Sequence, residues 1–212
     1  MSGSVLEGIR NSIVDLKFEE EKASVQQALS AGVSPLKILD EMAKAMEIVG
    51  QKFEASEYFL SELIVAADVM KEGLTVLDPH LKGKEVKKLG TVVIGTVRGD
   101  LHEIGKNVVV MLLEAAGFKV IDLGVDVAPE AFVDAVAKNN AQIVGLSALL
   151  TSTMNEMGNI IQSLKRSTVR GQVKVIIGGA PITEEFAKRI GADAYARDAV
   201  EGVRICKSFV GA

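Results

Sequence analysis

The segment Asp100-Leu101-His102-Glu103-Ile104-Gly105 follows an apolar run at 91–95 and precedes an amphipathic stretch that begins near Lys106. This pattern predicts a β-strand, a loop and an α-helix, in that order. It places an imidazole at the carboxyl end of a strand, which is where open α/β sheets bind their ligands. The chain has only two histidines, and the other, His80, lies in a polar stretch. The loop that contains His102 is therefore the first candidate for a functional site.

The same alternation of strand and helix continues through the second half of the chain. Apolar runs of strand length occur at 91–95, 119–123, 143–147 and 173–177, with a weaker one at 192–196. Helical patterns lie at 103–116, 129–138, 154–165, 184–190 and 200–209. Such alternation predicts right-handed crossovers and a parallel sheet covered by helices on both faces. Residues 91–212 are therefore predicted to form an α/β domain, a doubly wound five-stranded parallel sheet of the Rossmann or flavodoxin-like kind.

Residues 1–77 have a different pattern, in which apolar residues recur at helical spacing without the alternation typical of strands. The longest stripe spans nearly five turns and consists of Leu60, Leu63, Ile64, Ala67, Met70, Leu74 and Leu77. Four such stripes with short connections predict an antiparallel four-helix bundle. Residues 78–90 combine Pro79 and Gly83 with many charged side chains, which predicts a linker between the two domains.

Composition excludes several classes of function. The 212 residues carry a net charge of −4, which argues against nucleic acid as a main partner because phosphate binding requires clustered Lys and Arg. No stretch approaches the roughly 20 apolar residues of a membrane span, and the first residues do not resemble a signal peptide. A single cysteine, Cys206, excludes an internal disulfide. We expect a cytoplasmic protein without a membrane partner.

The first strand end also excludes two common ligand sites. The residues Gly95-Thr96-Val97-Arg98-Gly99 match neither the dinucleotide fingerprint nor the P-loop pattern, which disfavours a nicotinamide or triphosphate site. A response regulator requires an acidic cluster with a phosphorylatable Asp at a strand end, and Asp100 alone gives little support for one.

Three strand ends together carry a more specific combination. The first is Gly99-Asp100-Leu101-His102-Glu103-Ile104-Gly105-Lys106-Asn107, the second Gly145-Leu146-Ser147-Ala148-Leu149-Leu150-Thr151, and the third Ile177-Gly178-Gly179-Ala180-Pro181. They contain D-x-H-x-x-G, S-x-L and G-G in that order. The chain thereby resembles the corrinoid (cobalamin-binding) methyl-carrier proteins of methylamine, betaine and aryl-ether methyltransferase systems, and the cobalamin module of methionine synthase. The resemblance extends to the bundle through residues 53–60.

This resemblance implies a role for His102 as the axial ligand of cobalt, in place of the dimethylbenzimidazole base of the cofactor. Imidazole nitrogen is a good ligand for such a transition metal. Asp100 would accept a hydrogen bond from the other ring nitrogen and fix the tautomer. In methionine synthase the relay ends in a Ser, and the matching position here is Thr153. This departure retains a hydroxyl group.

The resemblance also implies a slot for the displaced nucleotide tail. Gly105, Gly145, Gly178 and Gly179 would leave room for it, and the hydroxyls of Ser147 and Thr151 would contact it. The remaining residues that we predict to contact the cofactor are Gly99, Leu101, Glu103, Ile104, Asn107, Leu146, Leu149, Ala180, Arg197 and Asp198.

By the same resemblance, the bundle would act as a cap over the ring, with Phe53, Leu60 and Leu63 as its ring-facing residues. A dry cap would protect the cobalt, and the cap would swing away about the linker for methyl transfer.

The function that the resemblance implies is that of a one-carbon carrier, which holds a methyl group on cobalt and is not catalytic alone. One partner, a substrate:corrinoid methyltransferase, would load the methyl group. A second, a corrinoid:tetrahydrofolate or coenzyme M methyltransferase, would remove it, and a reductive activase is a possible third. Two alternatives stay open, the cobalamin-binding subunit of a mutase and a cobalamin-dependent sensor. The bundle argues against the first, and the absence of Trp and of a further module argues against the second.

Overall fold

The computed structural model describes residues 2–81 and 88–212, which divide into two compact units, Met1–Lys87 and Lys88–Ala212. Six residues of the predicted linker, 82–87, lie outside the described residues. Within the two described ranges, each helix is too short or too polar to span a lipid bilayer.

The first unit contains the four predicted helices, α1 (Ser2–Val14), α2 (Phe18–Ser30), α3 (Pro35–Glu54) and α4 (Leu60–Leu81). Helix α1 packs against α2 and α3, and α4 packs against the same two helices. The side chains that meet between them are apolar and fully buried, for example Ile9, Val25 and Val49. Helix α4 continues through Pro79 to Leu81, four residues beyond the predicted boundary at 77. His80, predicted to lie in the linker, is therefore in the last helical turn.

The bundle core also contains a buried carboxyl group, Glu21. The Ser12 hydroxyl contacts its Oε2, whereas Oε1 has no hydrogen-bond partner among the described residues. A Cβ atom at Gly73 would overlap Oε1, so the glycine in α4 makes room for this carboxyl. Burial raises the pKa of Glu21 from 4.5 to about 7, although the hydrogen bond with Ser12 acts in the opposite direction.

The second unit is a five-stranded parallel sheet with the strand order β2-β1-β3-β4-β5. The strands are β1 (Thr91–Thr96), β2 (Lys119–Asp122), β3 (Ile143–Ser147), β4 (Lys174–Gly178) and β5 (Ala194–Ala196). The helices are α5 (Ile104–Ala115), α6 (Pro129–Asn139), α7 (Asn155–Arg166), α8 (Glu184–Ile190) and α9 (Ala199–Val210). This is the flavodoxin-like order of a doubly wound sheet. The predicted fold class is confirmed, and the element bounds agree within about two residues.

Apolar side chains fill both faces of the sheet. On one face, β1 and β3 residues such as Val93 and Val144 pack with Phe132 of α6, Ile161 of α7 and Phe186 of α8. On the other face, Val92 and Ile143 pack with Leu113 of α5 and Cys206 of α9. The central strands β1, β3 and β4 are therefore buried on both sides, which explains their nearly continuous apolar sequences, whereas the edge strands β2 and β5 are largely half-buried or exposed.

We predict that the bundle loses stability as the pH rises through about 7. The folded-state pKa of Glu21 lies above its ordinary value of 4.5, so its contribution is complete below pH 4.5 and disappears above pH 7. The difference corresponds to about 3 kcal/mol. Hydrogen exchange of the α2 amides in the full chain, compared at about pH 5.5 and about pH 8.5, measures the part of this loss that falls between those values, about 2 kcal/mol.

Glu21→Gln keeps the shape of the side chain and cannot ionise, so it should remove most of the pH dependence. Glu19→Gln, an exposed change in the same helix, is the matched control and should leave the pH dependence of stability unchanged. Equal pH dependence in the wild type and Glu21→Gln would contradict the prediction.

Candidate functional site

The candidate site lies where the direction of the sheet connections reverses. β1 lies between β2 and β3, and the helices that follow β1 and β3, α5 and α7, cover opposite faces of the sheet. Such a switch point leaves a crevice between the two loops at the carboxyl ends of the strands. The register aligns Thr96 with Ser147, and Ser147 with Gly178, so the three predicted strand ends meet at one edge.

The loop after β1 holds His102 through its backbone. Gly99 has a φ of +81°, a conformation that favours glycine, and its N–H donates to Asp126 Oδ1 at 2.7 Å. The Thr96 hydroxyl donates to the carbonyl of His102 at 3.0 Å. The loop is therefore fixed before and after the histidine by groups on neighbouring segments.

The imidazole of His102 is bound to Asp100. Its Nδ1 lies 2.7 Å from Asp100 Oδ1, and the backbone N–H of His102 donates to the same oxygen at 3.1 Å. Since a carboxylate only accepts hydrogen bonds, Nδ1 carries the hydrogen and Nε2 is the nitrogen left to bind a metal. The His102 side chain is 50% exposed, so it is accessible to a ligand at the mouth of the crevice.

Asp100 itself is completely buried. Its Oδ2 accepts hydrogen bonds from the amides of Leu149 and Leu150 and from the Thr153 hydroxyl, at 2.8, 3.2 and 2.8 Å. Burial alone would raise the pKa of Asp100, but the hydrogen bonds from Leu149, His102 and Thr153 together hold it well below its ordinary value. The group is thus a carboxylate, and it joins the loop after β1 to the loop after β3.

The structure brings Asp100, His102 and Thr153 together as the sequence predicted. Thr153 is buried, and its hydroxyl lies between Asp100 and the carbonyl of Leu150. The methyl group that distinguishes Thr from Ser does not prevent the hydrogen bond. The role of His102 as a cobalt ligand stays a prediction at this point.

The four glycines predicted to form the tail slot have different surroundings. A Cβ at Gly105 would meet no atom within 4 Å, and one at Gly178 would meet only the carbonyl of Ala196, at 3.1 Å. At Gly145 it would contact the Ile94 side chain. Gly179 has a φ of +131°, and its Cβ would lie 1.9 Å from the carbonyl oxygen of Ala148. Gly179 is thus required by the backbone of the loop, whereas Gly105 borders open space.

Large apolar side chains are exposed on the loop that contains His102 and on the facing loop after β3. Leu101 and Ile104 are each 71% exposed, and Leu149 and Leu150 on the facing loop are also exposed. Four large apolar side chains on one sheet edge are unfavourable in water, so this surface indicates a binding site.

The other predicted contact residues are positioned less specifically. Ser147 and Leu146 end β3, and Thr151, Gly179 and Ala180 are exposed on the adjoining loops. Asp198 accepts a hydrogen bond from the Glu201 amide as the N-cap of α9 and pairs with Arg197, which gives both residues a local structural role. The predicted cap residues lie in the first unit. Of these, Leu63 is buried, Leu60 is exposed and Phe53 is partly buried.

Four residues that hold the loop were not predicted from the sequence, namely Thr96, Lys106, Asp122 and Asp126. For Lys106 a signal was available, because it shares an apolar helical stripe with Val109 and Leu113. A charged residue on such a stripe is buried only with a partner. Nothing in the sequence identified Asp122 as that partner.

Two families of known proteins match this chain. The B12 binding domain family matches residues 90–204, and a second family with the same description matches residues 5–78. The trimethylamine corrinoid protein 2 of Methanosarcina mazei is 43% identical over 204 residues, in an alignment that covers 94% of this chain and 93% of that protein.

Two solved structures resemble the whole chain. A cobalamin-binding protein from Desulfitobacterium hafniense DCB-2 is 34% identical, with a TM-score of 0.82 over 96% of this chain and 98% of that one. A chain of the methanol:cobalamin methyltransferase complex from Methanosarcina barkeri is 27% identical, with a TM-score of 0.88 over 98% of this chain and 80% of that one. The chain belongs to the B12-binding family of corrinoid proteins.

The site residues fit a corrinoid. Among the described residues, no three His, Cys, Asp or Glu side chains cluster to hold a metal ion. A single accessible imidazole is suited to a metal that brings its other ligands with it. The apolar side chains around His102 and the open space at Gly105 suit the face of a large ring. His102 would hold the cobalt, and the crevice between the two loops would hold the rest of the cofactor.

We predict opposite effects of alanine at two of the glycines. Gly179→Ala forces a Cβ onto a carbonyl oxygen at an unfavourable φ, and should lower the free energy of unfolding by about 3 kcal/mol or more. Gly105→Ala, in the first turn of α5, should leave it unchanged or raise it by up to about 1 kcal/mol. Urea unfolding of the ligand-free protein measures both. Equal stability of the two variants would show that the loop adapts at Gly179.

Proposed function

We propose that this chain carries a methyl group on the cobalt of a corrinoid bound at His102. The observation that supports it most directly is the imidazole held at Nδ1 by a buried carboxylate, with its other nitrogen accessible amid exposed apolar side chains. Cobalt in a corrin ring accepts and donates methyl groups, which is the chemistry that the cofactor supplies. The chain supplies the ligand, the crevice and the orientation.

The residues of the chain have separate tasks in this proposal. His102 would supply the nitrogen that binds cobalt, and Asp100 fixes its tautomer and keeps a negative charge beside it. Thr153 and the amides of Leu149 and Leu150 stabilise that charge and tie it to the second loop. Rotation of the imidazole would break its hydrogen bond with Asp100, and Asp100 cannot follow the ring because four other donors hold its carboxylate.

The first unit, we further propose, is a cap over the upper face of the ring, with Phe53, Leu60 and Leu63 as the nearest residues. Its exposed apolar side chains at the start of α4, Phe59 and Leu60, support this role. A cap excludes water and oxidants from the cofactor.

The methyl donor that we propose is a methylated amine, because a trimethylamine corrinoid protein is 43% identical over nearly the whole chain. A substrate:corrinoid methyltransferase would load the methyl group. A corrinoid:tetrahydrofolate or coenzyme M methyltransferase would remove it, and a reductive activase would restore the cofactor after oxidation. The chain is then a component of a cytoplasmic multi-protein enzyme and not a catalyst by itself.

We predict that His102→Ala removes the protein nitrogen from cobalt. Protein labelled with ¹⁵N-histidine is reconstituted with hydroxocobalamin and reduced to the cobalt(II) form, whose electron paramagnetic resonance spectrum reports the axial nitrogen. The wild type should show splitting by ¹⁵N, and His102→Ala should not. His80→Ala changes the only other histidine and is the matched control. The same ¹⁵N splitting in His102→Ala would contradict ligation by this residue.

The donor can be tested with radioactive methyl groups. Corrinoid-loaded protein in an extract of the source organism should acquire label from methyl-¹⁴C trimethylamine, and should acquire much less from methanol or glycine betaine. The loaded His102→Ala variant should acquire at least tenfold less. Stronger labelling from methanol or betaine would overturn the amine proposal and would leave the carrier function intact.

A further inference from the structure

Lys106 is among the largest fully buried side chains of the described residues. Its side chain is 1% exposed, although an ammonium group loses several kcal/mol of hydration in a protein interior. The Nζ atom donates to Asp122 Oδ2 at 2.5 Å and to Asn107 Oδ1 at 2.7 Å. The residue is thus paired, and its position requires an explanation because an apolar side chain would fill the same space at lower cost.

The position of the pair in the fold provides that explanation. Lys106 lies in the first turn of α5, four residues after His102, whereas Asp122 is the last residue of β2. The ion pair therefore ties the helix that follows the His102 loop to the strand next to β1. Asp122 is itself held, since its Oδ1 accepts a hydrogen bond from the Gly124 amide at 2.9 Å.

A chain of hydrogen bonds returns from Asp122 to the histidine. The carbonyl of Gly124 accepts the amide of Thr96 at 2.9 Å, and the hydroxyl of Thr96 donates to the carbonyl of His102 at 3.0 Å. Thr96 is completely buried at the end of β1. These hydrogen bonds and the backbone from His102 to Lys106 together form a closed ring of contacts. We call it the β2 brace, and it consists of Lys106, Asp122, Gly124, Thr96 and His102.

The β2 brace lies on the opposite side of the loop from the Asp100 hydrogen bonds. Asp100 ties the imidazole ring to the loop after β3, whereas the β2 brace ties the backbone of His102 to the end of β2. Asp126 also holds the loop, at Gly99, but only these two supports act on His102 itself. With only one of them, His102 could turn about it. Fixing a metal ligand to within a few tenths of an ångström requires support of its backbone as well as its ring.

We infer that Lys106, Asp122 and Thr96 are positioning residues that hold His102 in the orientation needed to bind cobalt. The inference rests on the proposed function, because it gives these residues a role only if His102 is the axial ligand. Loss of the β2 brace should leave the fold intact and lower the fraction of bound corrinoid that has the histidine ligand.

Thr96 provides the cleanest test. Thr96→Val has nearly the same shape but cannot donate to His102, whereas Thr96→Ser keeps the hydroxyl. In cobalt(II) corrinoid bound to ¹⁵N-histidine protein at pH 7, the fraction without histidine nitrogen should rise at least fivefold in Thr96→Val. It should stay within twofold of the wild-type value in Thr96→Ser.

Lys106→Met tests the ion pair between Lys106 and Asp122 in the β2 brace. Methionine fills the space of the lysine stem, and Asp122, whose side chain is 33% exposed, can be hydrated when its partner is gone. We expect the ligand-free protein to fold and the fraction without histidine nitrogen again to rise at least fivefold. Arg170→Met breaks a comparable ion pair with Asp193, away from the His102 loop, and is the control for a general loss of stability.

The outcomes separate the two proposals. If the wild type lacks histidine nitrogen on cobalt, the proposed function fails. If the wild type has it, and Thr96→Val and Lys106→Met keep it to the same extent, the positioning role fails while the proposed function stands. If Lys106→Met does not fold, Thr96→Val decides the inference. A rise in unligated cobalt in Arg170→Met equal to that in Lys106→Met would also overturn the role of the lysine.

Discussion

A buried carboxylate is the constraint on which the rest of this site depends. Asp100 has no contact with solvent, and its charge is stabilised only because five hydrogen bonds point at its two oxygens. Those donors come from two loops that follow different strands, so the charge can exist only when both loops are in place. The orientation of the accessible His102 imidazole follows from this constraint, because its Nδ1 is hydrogen-bonded to Asp100.

The two units place polar groups in apolar surroundings for different reasons. In the sheet domain, Asp100 and Lys106 have partners on neighbouring segments, and each connects elements that an apolar residue would leave independent. In the bundle, one oxygen of Glu21 has no hydrogen-bond partner among the residues that the structure describes, so the side chain is stable there mainly as the neutral acid. The first arrangement fixes a geometry, and the second makes stability depend on pH.

Much of the fold followed from periodicity, because alternating buried strands and amphipathic helices have distinct patterns. The C-terminal end of α4 did not follow from periodicity, because Asp78-Pro79 is typical of a linker and the helix nevertheless continues to Leu81. The pair of Asp100 and Thr153 was predicted from motif positions and is present. The reason for Gly179 was not predicted, because the nearby carbonyl of Ala148 belongs to a different strand end.

The sequence by itself determined the two-unit organisation, the parallel sheet and the loop that contains His102, since each depends on residues close together in the chain. Only the tertiary structure showed that Lys106 pairs with Asp122 and that Thr96 supports the histidine backbone. Lys106 and Asp122 are 16 positions apart in the sequence, and they meet because β2, which ends at Asp122, lies beside β1. Thr96 and His102 are six positions apart. Local pattern specifies which segments become strands and helices, but the partner of a buried charge depends on which segments the fold makes neighbours.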